Sequence, residues 1–250
     1  AQARKRVLLA GVSVRALAES AARAECDVKA IDAFGDLDLQ RVAHVHAAPR
    51  DAAGRVDALA TARASHDIDV DAVAYASNFE NAPKAVELLA RGRTLLGNSP
   101  AVLLRARDPL ALARALSRLG VPTPAVRASA PSAANATRWL LKPRRSGGGH
   151  GIVRWTRGMP VPRSSIVQER VRGVPGSIVF IADGAQAFPL ALTRQLAGDA
   201  AFGAEGFAYC GSILEPHHPV LLERATELAR VVTREFALRG ACGIDFIARD

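Results

Sequence analysis

Residues 139–153 have the sequence Trp-Leu-Leu-Lys-Pro-Arg-Arg-Ser-Gly-Gly-Gly-His-Gly-Ile-Val. This stretch reads as an apolar strand, a glycine-rich turn and a second strand. Four glycines and Ser146 leave the backbone N–H groups of the turn free to surround an anion. Lys142 ends the first strand and adds the compact positive charge that a phosphate needs, while His150 lies inside the turn. The pattern predicts a phosphate-binding loop, with a hairpin that binds no ligand as the alternative.

Residues 1–98, which precede this stretch, alternate short apolar runs with helical segments. Strands are predicted over 6–10, 28–32 and 71–75, and helices over 14–24 and around 51–65, an order typical of a parallel sheet covered by helices. The turn after the first strand, Gly11-Val12-Ser13-Val14-Arg15, lacks the later glycines of a dinucleotide fingerprint and of a hydrolase nucleophile elbow. We expect Ser13 to cap the following helix, at a turn whose N–H groups could also hold a carboxylate or a phosphate.

The character of the sequence changes between residues 98 and 124, where helices end at Gly120-Val121-Pro122. Strands are predicted beyond this point over 138–142, 151–155, 165–169 and 177–182. A helix over 215–239 and a last strand over 242–248 complete the chain. The junction therefore separates two unlike parts.

Composition and charge limit the class of protein. The chain has 250 residues, of which 49% are hydrophobic, so it can bury a core. No apolar run is long enough to span a membrane, and three widely spaced cysteines suit a reducing cytoplasm. The net charge of +9 comes mainly from arginines scattered through Ala-rich segments, so we expect no nucleic-acid partner. His44 and His46 share one face of a strand without a visible third metal ligand, which favours structural or surface roles.

The glycine-rich stretch resembles that of the ATP-grasp superfamily. The resemblance rests on Leu140-Leu141-Lys142-Pro143 followed by 146–151, and it is supported by 167–173, by 173–180 and by Gly243-Ile244-Asp245-Phe246. It implies an α/β and α+β fold, in which a Rossmann-like N-terminal domain precedes an ATP-grasp domain of two α+β subdomains. The corresponding boundaries are 1–98, a helical linker over 99–122, and 123–250.

The resemblance also implies roles for individual residues. Lys142 would contact the α- and β-phosphates of ATP, and the loop residues Ser146, Gly147, Gly148, Gly149 and His150 would close over them. Gln168, Glu169, Arg170 and Val171 would form the hinge strand that contacts adenine. Asp245 would be an acidic ligand of Mg²⁺, an ion that prefers carboxylate oxygens.

Three departures from the family pattern affect these roles. The usual second lysine is missing at Arg107-Asp108-Pro109, where Arg105 or Arg107 would have to substitute. Gly243 stands where D-alanine-type ligases carry an arginine, so we predict Arg194 as the catalytic residue, with Arg239 as the alternative. The sequence also stops at Asp250, before the family's Glu-x-Asn element that completes the metal site. We therefore expect either a piece of a longer chain or an incomplete site, without full turnover.

The resemblance implies an ATP-dependent carboxylate–amine ligase that works through an acyl phosphate and releases ADP and phosphate. Its small-molecule substrates would be a carboxylate, of a glutamate-like kind, and an amine, and homodimers are common in the family. The segments around Ser177, Arg194 and Tyr209 look most like the branch of one-carbon cofactor biosynthesis, which includes the tyramine–glutamate ligases of methanofuran-type carriers. The alternative is a non-catalytic ATP-binding protein that senses nucleotide or binds a partner.

Overall fold

The computed structural model describes residues 3–132, 138–215 and 218–249. The chain divides into two compact units, 1–104 and 105–250. This division falls inside 99–122, the stretch that the sequence predicts as a linker. Among the described helices, none combines the length and the apolar character that crossing a membrane would require.

The first unit is built on a parallel sheet of five strands in the order β3-β2-β1-β4-β5. Helical segments separate the strands along the chain, which confirms the predicted βα order. The elements are β1 (Arg6–Ala10), α1 (Arg15–Arg23), β2 (Asp27–Asp32), α2 (Leu37–Gln40), β3 (His44–Ala47), α3 (Ala58–Ala64), β4 (Ala72–Tyr75), α4 (Pro83–Leu89), β5 (Thr94–Leu95) and α5 (Pro100–Ala106).

The central strand β1 is buried on both faces, as expected for a parallel sheet covered by helices. Leu8 and Ala10 point into one apolar cluster, and Val7 and Leu9 point into another. This alternation follows from the pleat of the strand, which directs successive side chains to opposite faces. The continuous apolar run of β1 therefore reflects its central position.

Asp32, at the end of β2, organises the turn between β1 and α1. Its carboxylate is 2% exposed and accepts hydrogen bonds from the backbone N–H groups of Val14, Phe34 and Gly35, at 2.7, 2.7 and 2.9 Å. The predicted cap at Ser13 is wrong, because the helix is preceded by Val14, whose side chain makes no capping bond. A carboxylate does occupy this turn, but it is the chain's own.

The second unit contains two antiparallel sheets of four strands. One has the order β6-β9-β7-β8 and the other the order β12-β11-β10-β13. Together with the parallel sheet, they confirm the predicted α/β and α+β class. The elements are α6 (Pro109–Arg118), β6 (Val126–Arg127), β7 (Trp139–Pro143), β8 (Val153–Arg154), β9 (Ser165–Glu169), β10 (Val174–Asp183), β11 (Ala187–Ala197), β12 (Tyr209–Leu214), α7 (Pro219–Phe236) and β13 (Arg239–Ala248).

Two predicted helices are shorter in the structure. The helix expected around 51–65 begins at Ala58, where the side chain of Asp57 accepts from the N–H groups of Leu59 and Ala60. The last helix begins at Pro219 and ends before Ala237, which adopts a left-handed conformation with φ of +56°. Residues 216 and 217, at the start of that predicted helix, lie outside the described residues.

Helix α7 packs on β10 and β11. Ile178, Phe180 and Leu192 share the face of the sheet that is buried in this way. The opposite face carries Ser177, Thr193 and Asp245, because Ser177 pairs with both of the others. The second sheet of this unit therefore has one buried apolar face and one face that carries polar side chains around Ser177, which we call the polar face.

Candidate functional site

Lys142 lies near the end of β7, on the same face of its sheet as Gln168. Its Nζ donates a hydrogen bond of 3.1 Å to Oε1 of Gln168. The strand register explains this contact, because β7 and β9 pair Leu140 with Gln168 and Lys142 with Ile166. Burial lowers the pKa of the Lys142 ammonium, and the nearby charge of Asp245 partly opposes that shift. The lysine is thus a partly desolvated cation held by an amide.

Asp245 lies on the polar face of β13 and is held by a second amide. Nε2 of Gln195 donates a hydrogen bond of 2.7 Å to Oδ1 of Asp245. Asp245 is the charge that opposes the lowering of the Lys142 pKa, so the two side chains interact electrostatically. A lysine and a carboxylate, each bonded to a glutamine, therefore influence one another from two different sheets.

The glycine-rich loop connects β7 to β8 beside this pair. Gly148, Gly149 and Gly151 have φ of +61°, +77° and +73°, a region that other residues rarely adopt. Within the described part of the chain, the backbone N–H groups of Gly147, Gly148 and Gly149 donate no hydrogen bond. The carbonyl groups of these glycines, by contrast, accept bonds from the N–H groups of His150, Tyr209 and Ile152. The unsatisfied donors are the groups that an anion would bind.

The loop also contacts the segment that enters β12. The carbonyl oxygen of Gly148 accepts a 3.0 Å hydrogen bond from the N–H of Tyr209. A Cβ added at Gly149 would lie 1.7 Å from the carbonyl oxygen of Phe207. Only glycine can therefore approach this segment so closely.

Ser146 and His150 hold the loop from within. The Ser146 hydroxyl donates a 2.7 Å hydrogen bond to the carbonyl oxygen of His150, and the Ser146 carbonyl accepts one of 3.3 Å from Arg107. The imidazole of His150 is exposed. Both predicted residues lie at the loop, where the serine serves its internal geometry.

The structure separates the two arginines that could replace the missing lysine. Arg107 reaches the glycine-rich loop through Ser146. Arg105 instead donates to the carbonyl oxygen of Glu235 and lies 5.6 Å from the centre of the Phe236 ring. Asp108 caps α6 by accepting from two backbone N–H groups. Arg107 is therefore the better-placed substitute.

The predicted hinge residues divide between two environments. Gln168 faces Lys142, whereas Glu169 lies on the opposite face, where it accepts hydrogen bonds from Arg138 and from the N–H of Ala125. These contacts hold the pKa of Glu169 below its usual value, with the Ala125 N–H as the largest cause. The backbone N–H of Arg170 donates 2.7 Å to the carbonyl oxygen of Arg138, and Val171, next along, is half-buried.

Arg194 does not lie with Lys142 and Asp245. In β10, Gly176 pairs with Arg194 and Ser177 pairs with Asp245, so strand alternation places the arginine and the aspartate on opposite faces. Arg194 instead forms an ion pair of 3.2 Å with Glu215. The neighbouring Gln195, which sequence reasoning missed, lies on the Asp245 face, because adjacent residues of β11 point to opposite faces and Arg194 points away from it.

The donor set around Asp245 suits a single hard cation only in part. Among the described residues, no group of three histidine, cysteine or acidic side chains could hold a metal, and this includes His44 and His46. Burial lowers the pKa of His46, whose ring centre lies 4.8 Å from that of His44.

Mg²⁺ is commonly held by one or two carboxylates together with substrate phosphates and water. Asp245 fits one such position, and phosphates would have to supply others.

Comparisons with known proteins show the family of this chain and its fold. The family model described as an ATP-grasp domain matches residues 106–250. No curated protein matches the chain.

Solved structures resemble the fold at low sequence identity. An ATP-grasp superfamily protein from Archaeoglobus fulgidus has a TM-score of 0.66 and 16% identity, over 97% of this chain and 76% of that one. The VanG D-Ala:D-Ser ligase from Enterococcus faecalis has a TM-score of 0.61 and 14% identity, over 98% of this chain and 86% of that one. Carboxyaminoimidazole ribonucleotide synthase from Aspergillus clavatus, complexed with ATP, has a TM-score of 0.67 and 15% identity, over 98% of this chain and 66% of that one.

The chain thus spans just under two thirds of the length of the Aspergillus clavatus synthase. The family model covers more than half of the chain and includes both antiparallel sheets, with the glycine-rich loop, Lys142 and Asp245. This chain belongs to the ATP-grasp family.

Proposed function

We propose that the chain binds Mg-ATP between its two antiparallel sheets and uses it to join a carboxylate to an amine. The observation that carries the proposal is the electrostatic interaction of Lys142 with Asp245, together with a loop whose glycine N–H groups donate to no described residue. Phosphoryl transfer depends mainly on positioning and on neutralising charge, and these groups supply cations, donors and a metal ligand for both purposes.

Each residue has a separate task in this proposal. Lys142 binds the α- and β-phosphates. Before ATP binds, its ammonium donates a 3.1 Å hydrogen bond to Gln168, and phosphate oxygens replace this acceptor when ATP is bound. The N–H groups of Gly147, Gly148 and Gly149 surround the phosphate chain, while Ser146 and His150 keep the loop in shape. Asp245 would hold Mg²⁺, which neutralises phosphate charge when bound.

The reaction proposed has two balanced steps. An oxygen of the carboxylate attacks the γ-phosphorus and ADP leaves, which forms an acyl phosphate. The amine then attacks the acyl carbon, phosphate leaves and the nitrogen loses a proton, which gives the amide. A closed glycine-rich loop would keep water away from the labile anhydride.

The substrate assignment extends this proposal. We propose a glutamate-like carboxylate and a primary amine, as in the one-carbon cofactor branch and its tyramine–glutamate ligases. The support is the sequence resemblance around Ser177 and Tyr209. Arg194 lends no support, because its guanidinium pairs with Glu215 on the face away from Asp245.

A second candidate is an ATP-binding protein without ligase activity. It is favoured by the donor set, since Asp245 is not accompanied by two further metal-ligating side chains among the described residues. Both candidates predict nucleotide binding, so they differ in product formation.

The first experiment measures thermal stability with and without Mg-ATP. At about 100 times Kd, a ligand stabilises a protein by roughly 2.7 kcal/mol. Lys142→Ala should lose the shift, and Lys84→Ala, which removes an exposed lysine from α4 in the first unit, should keep it. No shift in the wild-type chain would contradict both candidates.

The second experiment traps the acyl phosphate. Wild-type chain with Mg-ATP, glutamate and hydroxylamine should form a hydroxamate and release ADP in equal amounts. Nucleotide binding without hydroxamate from glutamate or from other amino-acid carboxylates would favour the non-catalytic candidate.

A further inference from the structure

The positive charge of the chain is concentrated in one segment, residues 123–173. Arginines occur along the whole sequence, but acidic residues are nearly missing here. The segment has ten basic residues and one acidic residue, Glu169, a net charge of +9, which is also the net charge of all 250 residues. In the rest of the chain, basic and acidic residues are therefore equal in number, and the net charge is zero. The ten are Arg127, Arg138, Lys142, Arg144, Arg145, Arg154, Arg157, Arg163, Arg170 and Arg172.

Part of this charge lies on the face of the β6–β9 sheet that points away from Lys142. Trp139, Trp155 and Val167 form an apolar cluster there, covered by Met159 and Val161. The loop that provides this cover runs between two exposed arginines, Arg157 and Arg163.

Two more arginines border the same cluster. Arg127, on β6, places its guanidinium 5.5 Å from the centre of the Trp139 ring. Arg138 pairs with Glu169, which lies opposite Trp139 in the strand register. We call Arg127, Arg138, Arg157 and Arg163 the outer basic face.

The outer basic face is poorly neutralised by the chain itself. Of the ion pairs that the described residues form, a single one, Arg138 with Glu169, involves this segment. Unpaired exposed cations raise the local positive potential, which attracts partners of opposite charge and increases their rate of association. The proposed nucleotide site lies on the Lys142 side of this sheet, so ATP bound there would not use these charges.

The chemistry of the face favours carboxylates over nucleic acid. The segment's two aromatic residues, Trp139 and Trp155, are 8% and 3% exposed, so they offer bases nothing on which to stack. Its described residues contain no helix that could enter a DNA groove. Guanidinium groups bind carboxylates in a paired geometry, and Arg138 already donates to Glu169 through its Nε and Nη2 atoms.

We propose that the outer basic face docks an acidic polypeptide, a protein segment rich in aspartate and glutamate. The proposal does not depend on ligase activity, because none of the four arginines belongs to the nucleotide site. It predicts a binding event that is sensitive to salt and independent of ATP.

The test measures binding of a fluorescein-labelled oligoglutamate peptide to the full chain by fluorescence anisotropy. Arg127→Glu, Arg157→Glu and Arg163→Glu are combined in one variant. The control combines Arg23→Glu, Arg91→Glu and Arg224→Glu, three exposed arginines outside the segment, so both variants have the same net charge. We expect roughly tenfold weaker binding for the first variant and little change for the control.

Several results would overturn the proposal. These are equal weakening in both variants, no binding of oligoglutamate at low salt, displacement of the peptide by saturating Mg-ATP, or tighter binding of a labelled RNA of equal charge. The last result would assign the face to nucleic acid instead.

A second measurement needs no variant and therefore does not depend on folding of the mutants. Phenylglyoxal modifies exposed arginines, and mass spectrometry locates the modified positions. Oligoglutamate should protect Arg157 and Arg163 and leave Arg23 and Arg91 reactive. Protection spread equally over all four would contradict a defined docking face.

Discussion

The turn after β1 and the turn after β7 have similar local sequences, but their backbone N–H groups differ in their hydrogen-bond partners. Each follows an apolar strand and contains glycine. In the first turn, the N–H of Val14 donates to Asp32, which also accepts from Phe34 and Gly35 in the turn after β2. In the second, Gly147, Gly148 and Gly149 donate to no described residue. A turn is therefore available to an external anion only when the chain provides no acceptor of its own.

This contrast assigns the first turn to structure and the second to binding. Asp32 is almost completely buried and accepts from three backbone donors, so its removal leaves those donors without this acceptor. The glycine N–H groups of the second turn stay available for a ligand.

Asp32→Ala should lower the free energy of unfolding by roughly 3 kcal/mol, because three charge-assisted hydrogen bonds from backbone N–H groups to a buried carboxylate are lost. Asp32→Asn should cost less, since the amide oxygen still accepts. Urea unfolding followed by circular dichroism measures both. If either variant that folds also loses affinity for Mg-ATP, the first turn takes part in binding and the comparison fails.

Gly149→Ala should weaken nucleotide binding about tenfold, or roughly 1.4 kcal/mol. The added Cβ would meet the carbonyl oxygen of Phe207, and the φ of +77° disfavours alanine. Gly147→Ala is the matched control, because a Cβ there has no atom within 4 Å. Isothermal titration with Mg-ATP compares the two, and equal affinities would show that loop position does not govern binding.

Nucleotide affinity should fall on the alkaline side of neutrality, by severalfold. Phosphates require a protonated Lys142, and burial lowers its pKa below the usual value of 10.5. Affinity is therefore complete at pH values below the pKa in the folded protein and declines as the pH rises through it. Lys142→Arg stays charged, so its titrations between pH 7 and pH 10 should be flat. The same decline in both proteins would exclude Lys142 as the titrating group.

Arg194→Ala should change the free energy of unfolding by less than about 1 kcal/mol, because the pair with Glu215 is partly exposed. Its affinity for Mg-ATP should match that of the wild-type chain, since the side chain lies on the face away from Asp245. Gln195→Leu is the informative counterpart, because it removes the amide that holds Asp245. A loss of affinity with Arg194→Ala and none with Gln195→Leu would contradict the placement of Gln195, rather than Arg194, on the face that binds nucleotide.

Local patterns were sufficient to predict the fold class and the position of the glycine-rich loop. Apolar runs such as that of β1 indicate buried strands, and the glycines between β7 and β8 indicate a turn. The ends of elements were less predictable, because they depend on single residues such as Asp57, which caps α3, and Ala237, which ends α7 in a left-handed conformation.

Contacts between distant segments were not predictable. Nothing near Asp32 in the sequence shows that its carboxylate serves a helix beginning 17 residues earlier, at Arg15. The orientation of Arg194 depends on the register of β10 with β11 and β13, which three separate strands define together. The sequence shows an arginine at position 194, but strand pairing determines which face of the sheet its side chain occupies.

The hydrogen bond between the Tyr209 N–H and the Gly148 carbonyl makes opening of the loop measurable by hydrogen exchange. Each time the loop lifts, this amide loses its acceptor and its proton can exchange with solvent deuterons. The exchange rate at Tyr209, divided by the intrinsic rate of a free amide, therefore reports the fraction of time for which the glycine-rich loop is open. A single backbone position can thus report loop motion in the native chain, without a label and without a mutation.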